Sequence, residues 1–140
     1  MATYVGYDVF LEDLAEKVHN LGSDTLKVAL TNTAPTVATD AGLSDITEIS
    51  AGNGYTTGGT QATISSSAQT SGSYKLVLAD VVFTASGGTI GAFRYMVLYN
   101  DTAASDQLIA YWDYGSSITL QNGESFTWDA DPTNGILTIA

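Results

Sequence analysis

His19 is the only histidine, and the chain has no cysteine. Catalysis on a histidine needs a partner acid and a nucleophile close by, and the residues around His19 give no such set. It sits where a helix is expected to end, and capping or interface packing is sufficient for it there. One imidazole without a thiolate cannot make a zinc site. Oxygen donors are more plentiful. Asp129-Ala130-Asp131-Pro132-Thr133-Asn134-Gly135 places them at alternate positions, the type of loop that calcium uses. Asp129 and Asp131 are therefore the candidate ligands, with Asp101 and Asp106 beside the central turn a second choice. The loop lacks the distal Glu of an EF-hand and lies between strands, so an Asx-type turn before Pro132 explains it. No bound metal or other cofactor is expected. With 15 Asp plus Glu, some pair of carboxylates is inevitable. A glycosidase-like pair therefore carries no signal. Glycines 52, 54, 58 and 59 are not followed by Lys-Ser/Thr or a helical pattern, which excludes a phosphate loop. No catalytic residue is assigned, and the expectation is a non-enzyme.

Aromatic residues are the other candidates. Trp112 and Trp128 lie among Tyr111, Tyr114 and Phe126. Residues two apart on a strand share a face, so Tyr111 points away from Trp112 and its partners unless a bulge intervenes. Some aromatic surface must then be covered by the helix, a second layer or another subunit. This predicts an oligomer, with Tyr4, Tyr7, Tyr55, Tyr111 and Tyr114 as interface residues.

The element that positions them is the segment Thr89–Tyr114. Two aromatic and β-branched runs flank the short polar connection Thr102–Asp106, which reads as an antiparallel pair at the centre of a sheet. Residues 1–6 read as an arm or short edge strand. Tyr7, Phe10, Leu11, Leu14, Ala15 and Val18 fall on one helical stripe, predicting an amphipathic helix over residues 8–20 that stops at Asn20 and Gly22. Strands are expected at 25–31, 60–66 and 73–79, with weak alternation over 43–50 and a bulge or bend at Asp80. The segment 52–59 reads as an exposed, shaped loop carrying Tyr55. Turns are expected at Gly115–Ser117, Asn122-Gly123 and 131–135, and Ile136–Ile139 should be tied into a sheet. The fold class is mainly β: one domain over residues 1–140, an antiparallel β-sandwich of jelly-roll type with one N-terminal amphipathic helix.

Charge narrows the partners. Four Lys plus Arg against 15 acids give a formal net charge of -11. A nucleic-acid binder needs a basic surface, and an anionic membrane disfavours an acidic one. Residues 1–20 have no basic n-region or continuous apolar run, so a signal peptide is not expected, and no apolar stretch is long enough to span a bilayer.

Phe10–Leu30 (F-L-E-D-L-A-E-K-V-H-N-L-G-S-D-T-L-K-V-A-L) resembles the start of a family of small tailed-bacteriophage virion structural proteins. The likeness continues in G-N-G-Y-T-T-G-G-T, F-R-Y-M-V-L-Y-N and D-P-T-N-G-I-L-T-I-A. It implies a capsid decoration or cement protein that binds the major capsid protein or other virion proteins. Such a protein is made in the host bacterial cytoplasm and carried on the virion. A neck, tail or fibre component, or a carbohydrate- or host-binding module, is the alternative. The resemblance marks His19, Asn20, Gly22, Asp24, Gly54 and Gly58 as structural motif residues.

Overall fold

The computed structural model describes residues 2–140. Its elements run β1 (Thr3–Gly6), α1 (Asp8–Ala15), β2 (Leu26–Thr31), β3 (Thr60–Ala62), β4 (Ile64–Thr70), β5 (Ser73–Leu78), β6 (Val81–Thr84), β7 (Ile90–Asn100), β8 (Leu108–Leu120), β9 (Ser125–Trp128) and β10 (Leu137–Ile139). Three sheets form, with orders β1-β8-β7-β2-β3, β10-β5-β4 and β6-β9. Every pairing is antiparallel, and no sheet closes into a barrel. The β7–β8 pair lies inside the largest sheet, as the aromatic runs predict, with Met96 opposite Trp112 and Leu98 opposite Ala110.

Alternation along the strands gives the large sheet two apolar faces. On one face Val28, Leu30, Met96 and Leu98 pack with Leu76 and Leu78 of β5, Val81 and Phe83 of β6, and Trp128 of β9. The two smaller sheets thus share one core with the larger, an arrangement consistent with a β-sandwich. On the other face Ala29, Val97, Tyr99 and Leu108 are covered by Tyr7, Val9, Val37, Leu43 and Ile46. Tyr111 packs there as well. The chain thus covers its own second face with the start of α1 and the loop after β2, and the Tyr111 side does not require another subunit.

Several expectations need correction. The helix stops at Ala15, not at residue 20. Lys17 takes a left-handed φ of 71°, Lys17 N–H donates to Leu14 O, and Val18 N–H donates to Asp13 O. These are the paired bonds of a Schellman ending, formed here on a lysine where glycine is the usual signal. Leu11 leaves the apolar stripe and is 71% exposed. Residues 43–50, where the sequence alternates only weakly, hold a 3₁₀ turn at Leu43–Asp45 and a single β-bridge from Glu48 to Thr31. The expected turn at Gly115–Ser117 is a bulge within β8: Phe93 faces Ile118 while Tyr95 faces Asp113, so the residues between swell outward. The 60–66 strand breaks at Thr63 into β3 and β4, which join different sheets, and Ala79-Asp80 likewise separates β5 from β6. Residues 3–6 form an edge strand on β8, and the C-terminal strand pairs with β5.

Hairpin β4–β5 turns through Ser71 and Gly72, both with positive φ (52° and 83°). That is the type I′ geometry whose twist suits two strands. Its tip is exposed, and a Cβ added at Gly72 would meet nothing within 4 Å.

Candidate functional site: an aromatic cleft

β1, β8 and β9 bring the aromatic residues to one wall. Tyr4 and Trp112 are cross-strand partners with rings 5.3 Å apart, edge to face. Trp112 meets Trp128 the same way at 4.9 Å, and Tyr114 meets Phe126 at 5.8 Å. With Met96, Ile136 and Pro132 they line a cleft of about 530 Å³, and Asp129 and Asp131 stand among its residues. Tyr4 and Tyr114 remain 42% and 44% exposed, while Trp128 is buried and its indole N–H meets no acceptor among the described residues. Edge-to-face contacts hold the rings rigidly. The walls of the cleft offer stacking and apolar contact.

The acidic turn beside it is closed on itself. Asp129 Oδ1 accepts from Asp131 N–H. Asp131 Oδ1 accepts from the backbone N–H groups of Thr133 and Asn134, and Oδ2 accepts from the Asn134 amide. The bond from Asn134 N–H, ahead of the others, holds the Asp131 carboxyl below the usual carboxylate range. This is the Asx turn that the spacing allows. No group of three or more His, Cys, Asp or Glu with metal-site geometry occurs among the described residues.

Of the five tyrosines expected at an interface, two are core residues. Tyr7 and Tyr55 are each 2% exposed. Tyr111 is half-buried against Tyr7 and Tyr95. Only Tyr4 and Tyr114 are open to a partner. Tyr55 is buried because its hydroxyl accepts from Leu30 N–H (3.0 Å) and donates to Glu48 Oε2 (2.6 Å). β3 pairs with β2 only from Leu26 to Val28, so this hydroxyl serves the strand amide next exposed. Burial, reinforced by Glu48, pushes the Tyr55 phenol far above its ordinary range. Gly58 N–H also donates to Glu48 Oε2, and Gly58 O accepts from the Tyr99 hydroxyl. A Cβ at Gly54 would lie 2.2 Å from Thr84 O, and one at Gly59 only 1.8 Å from Val28 O. The glycine loop is exposed over most of its length, as expected, while Tyr55 plugs inward and Gly54 and Gly59 lie hard against neighbouring backbone.

The His19 motif forms a second closed unit. Asn20 N–H donates to Asp24 Oδ2, and Gly22 N–H donates to Asn20 Oδ1. Asn100, 0% exposed, ties this turn to β7. Its Oδ1 accepts from the N–H groups of Thr102 and Ala103, which fixes the amide orientation. Its NH₂ then faces Asp24 Oδ2 at 2.6 Å and His19 Nδ1 at 3.0 Å. His19 Nδ1 must accept, so neutral His19 carries its proton on Nε2. Nε2 and Asp13 Oδ2 are both buried without a partner. Burial lowers the His19 pKa, while Asp13 and Asp24 oppose the shift. Among the described residues Asn100 alone hydrogen-bonds the ring. Asn100 and Glu48, the centres of these two units, escape sequence reading because a lone Asn or Glu ending a strand or in a loop carries no spacing signal.

No protein family, curated protein or solved structure matches this chain.

Proposed function

We propose that this chain is a non-enzymatic structural component of a bacteriophage particle: a capsid decoration or cement protein binding the major capsid protein or other virion proteins. It is made in the host cytoplasm and carried on the virion. The observation that supports this most is the cleft rim, where Tyr4 and Tyr114 stay exposed beside half-buried Trp112 on an acidic chain. Exposed rigid aromatics anchor protein contacts, and repeated copies on a lattice multiply a modest contact. The motif residues His19, Asn20, Gly22, Asp24, Gly54 and Gly58 act structurally in this reading. We further read the layers as a jelly-roll-like sandwich, because all pairing is antiparallel and the first and last strands join different sheets. Among the described residues no helix is long and apolar enough to cross a membrane.

The test is co-sedimentation of the purified chain with empty capsid shells. Binding that falls at least about tenfold in Tyr4→Ala/Tyr114→Ala supports the reading. Binding to isolated tails and not to shells moves it to a neck, tail or fibre component. Binding to neither refutes it.

A second reading has its own observation. Aromatic rings beside the exposed Asp129 carboxylate are what a glycan site offers: a platform for the sugar face and an acceptor for its hydroxyls. A carbohydrate- or host-binding module would bind host-surface glycans, and Trp112→Ala would abolish that binding. Chelation would leave it unchanged, because Asp131 is already satisfied by protein donors.

A further inference from the structure

β4 pairs only with β5, and no backbone hydrogen bond is made on its other side among the described residues. Its open groups follow from the hairpin register. The two-residue turn makes Thr70 and Ser73 a hydrogen-bonded pair, and alternation makes Ala68 and Lys75 the next. Ser67 and Gln69 therefore direct their N–H and C=O groups outward. Ser65, the extra residue between Ile64 and Ser66, ends the regular edge in a bulge.

Exposed edges are normally blunted by charge, proline or cover. Residues 64–70 have no charged residue and no proline. The surrounding composition identifies the occupant. A chain of net charge -11 repels its own copies, yet residues 49–79 contain no acid and only one base, Lys75. The β4–β5 hairpin itself carries no carboxylate, so two like-charged copies can approach along it with none of its own residues in opposition. An edge strand that pairs antiparallel with itself gives a closed, two-fold contact and no open chain of copies.

We propose that two copies of this chain dimerise through β4, edge to edge and antiparallel, joining two three-stranded sheets into one of six strands. The register follows from the outward groups. Ser67 of each copy pairs with Gln69 of the other, which gives about four new backbone hydrogen bonds. Ala68 then lies on the two-fold axis opposite its own counterpart, in the closer, non-hydrogen-bonded type of pair. Ala68 is exposed and makes no side-chain hydrogen bond, so substitution there leaves the monomer fold intact. The contact is separate from the aromatic cleft and leaves that site free, so it stands whether or not the virion reading holds.

The axis position provides a decisive test. Sedimentation velocity is run on the wild-type chain from about 10 μM to about 1 mM, a range that covers weak association. The wild type is expected to move toward twice the monomer mass as concentration rises, and to do so more readily at high salt, where like-charge repulsion is screened. A68E and A68K, each alone, place like charges face to face and are expected to stay monomeric. An equimolar mixture of the two is expected to regain the dimer, which general misfolding could not produce. The amides of Ser67 and Gln69 should gain exchange protection only as the dimer forms. A wild type that is monomeric throughout overturns the proposal. So does a dimer indifferent to A68E and A68K, or a mixture that fails to associate.

Discussion

Asn100 carries more of the fold's polar logic than any other side chain. It joins the motif turn, the end of β7 and the following loop through four hydrogen bonds, from a side chain that is itself 0% exposed. Because its NH₂ faces His19 Nδ1, protonation of that nitrogen would set donor against donor. This gives a pH dependence with a definite sign. Burial lowers the folded-state pKa of His19 below its ordinary value of 6.5. Between the two values the unfolded chain binds more protons, so stability falls as pH falls through that window and is fully present above it. Denaturation midpoints measured downward from about pH 7.5 should begin to drop near pH 6.5. His19→Asn should flatten that limb while leaving the loss at lower pH, where the paired aspartates are protonated. A midpoint in wild type that is level down to pH 5 would contradict the assigned tautomer and its burial.

Tyr55 shows how a side chain can stand in for a strand. β3 is three residues long and leaves Leu30 N–H facing a gap that the phenol fills. Tyr55→Phe keeps the ring packing, strands that amide and removes one of the two donors to Glu48 Oε2. It should cost about 1–3 kcal/mol in urea unfolding, with little change in the slope of the transition. This role was not legible in the sequence, because four glycines around one tyrosine describe an exposed loop as well as a docked one. The central pair was legible, since Phe93–Asn100 and Leu108–Trp112 are dense in β-forming residues that few other structures accommodate. The helix end was not, because Lys17 occupies the left-handed position that glycine or asparagine would have advertised. The bulge at Tyr114–Ser117 was hidden for a related reason: Gly-Ser-Ser reads as a turn, and only the register across to Arg94 and Tyr95 distinguishes the two. Asp113, held by the Arg94 fork at 2.7 and 3.1 Å, anchors the start of that bulge.

Across the whole molecule, the two layers are joined by the indole pair. Trp112 belongs to the five-stranded sheet and Trp128 to the two-stranded one, and they touch edge to face. Trp128→Ala opens the shared core at this joint and should cost about 3–5 kcal/mol. In the wild type, tryptophan fluorescence and far-UV circular dichroism should follow one transition. Separate midpoints would mean that the small sheets melt independently of the large one. The layered β class was legible in turn spacing and alternation. Which strands share a layer was not, because one residue, Thr63, and one dipeptide, Ala79-Asp80, carry the chain from one sheet to another. The aromatic cleft was half legible: the sequence supplied Tyr4, Tyr114, Phe126 and both tryptophans, and only the folded register brought them together beside the acidic turn.

The Ser71–Gly72 tip has a practical use. A two-residue reversal with nothing packed against it is a place where the chain tolerates extra length. A short foreign peptide spliced between these residues would project clear of both cores, turning each copy into a display handle for an epitope, a fluorophore or an affinity tag.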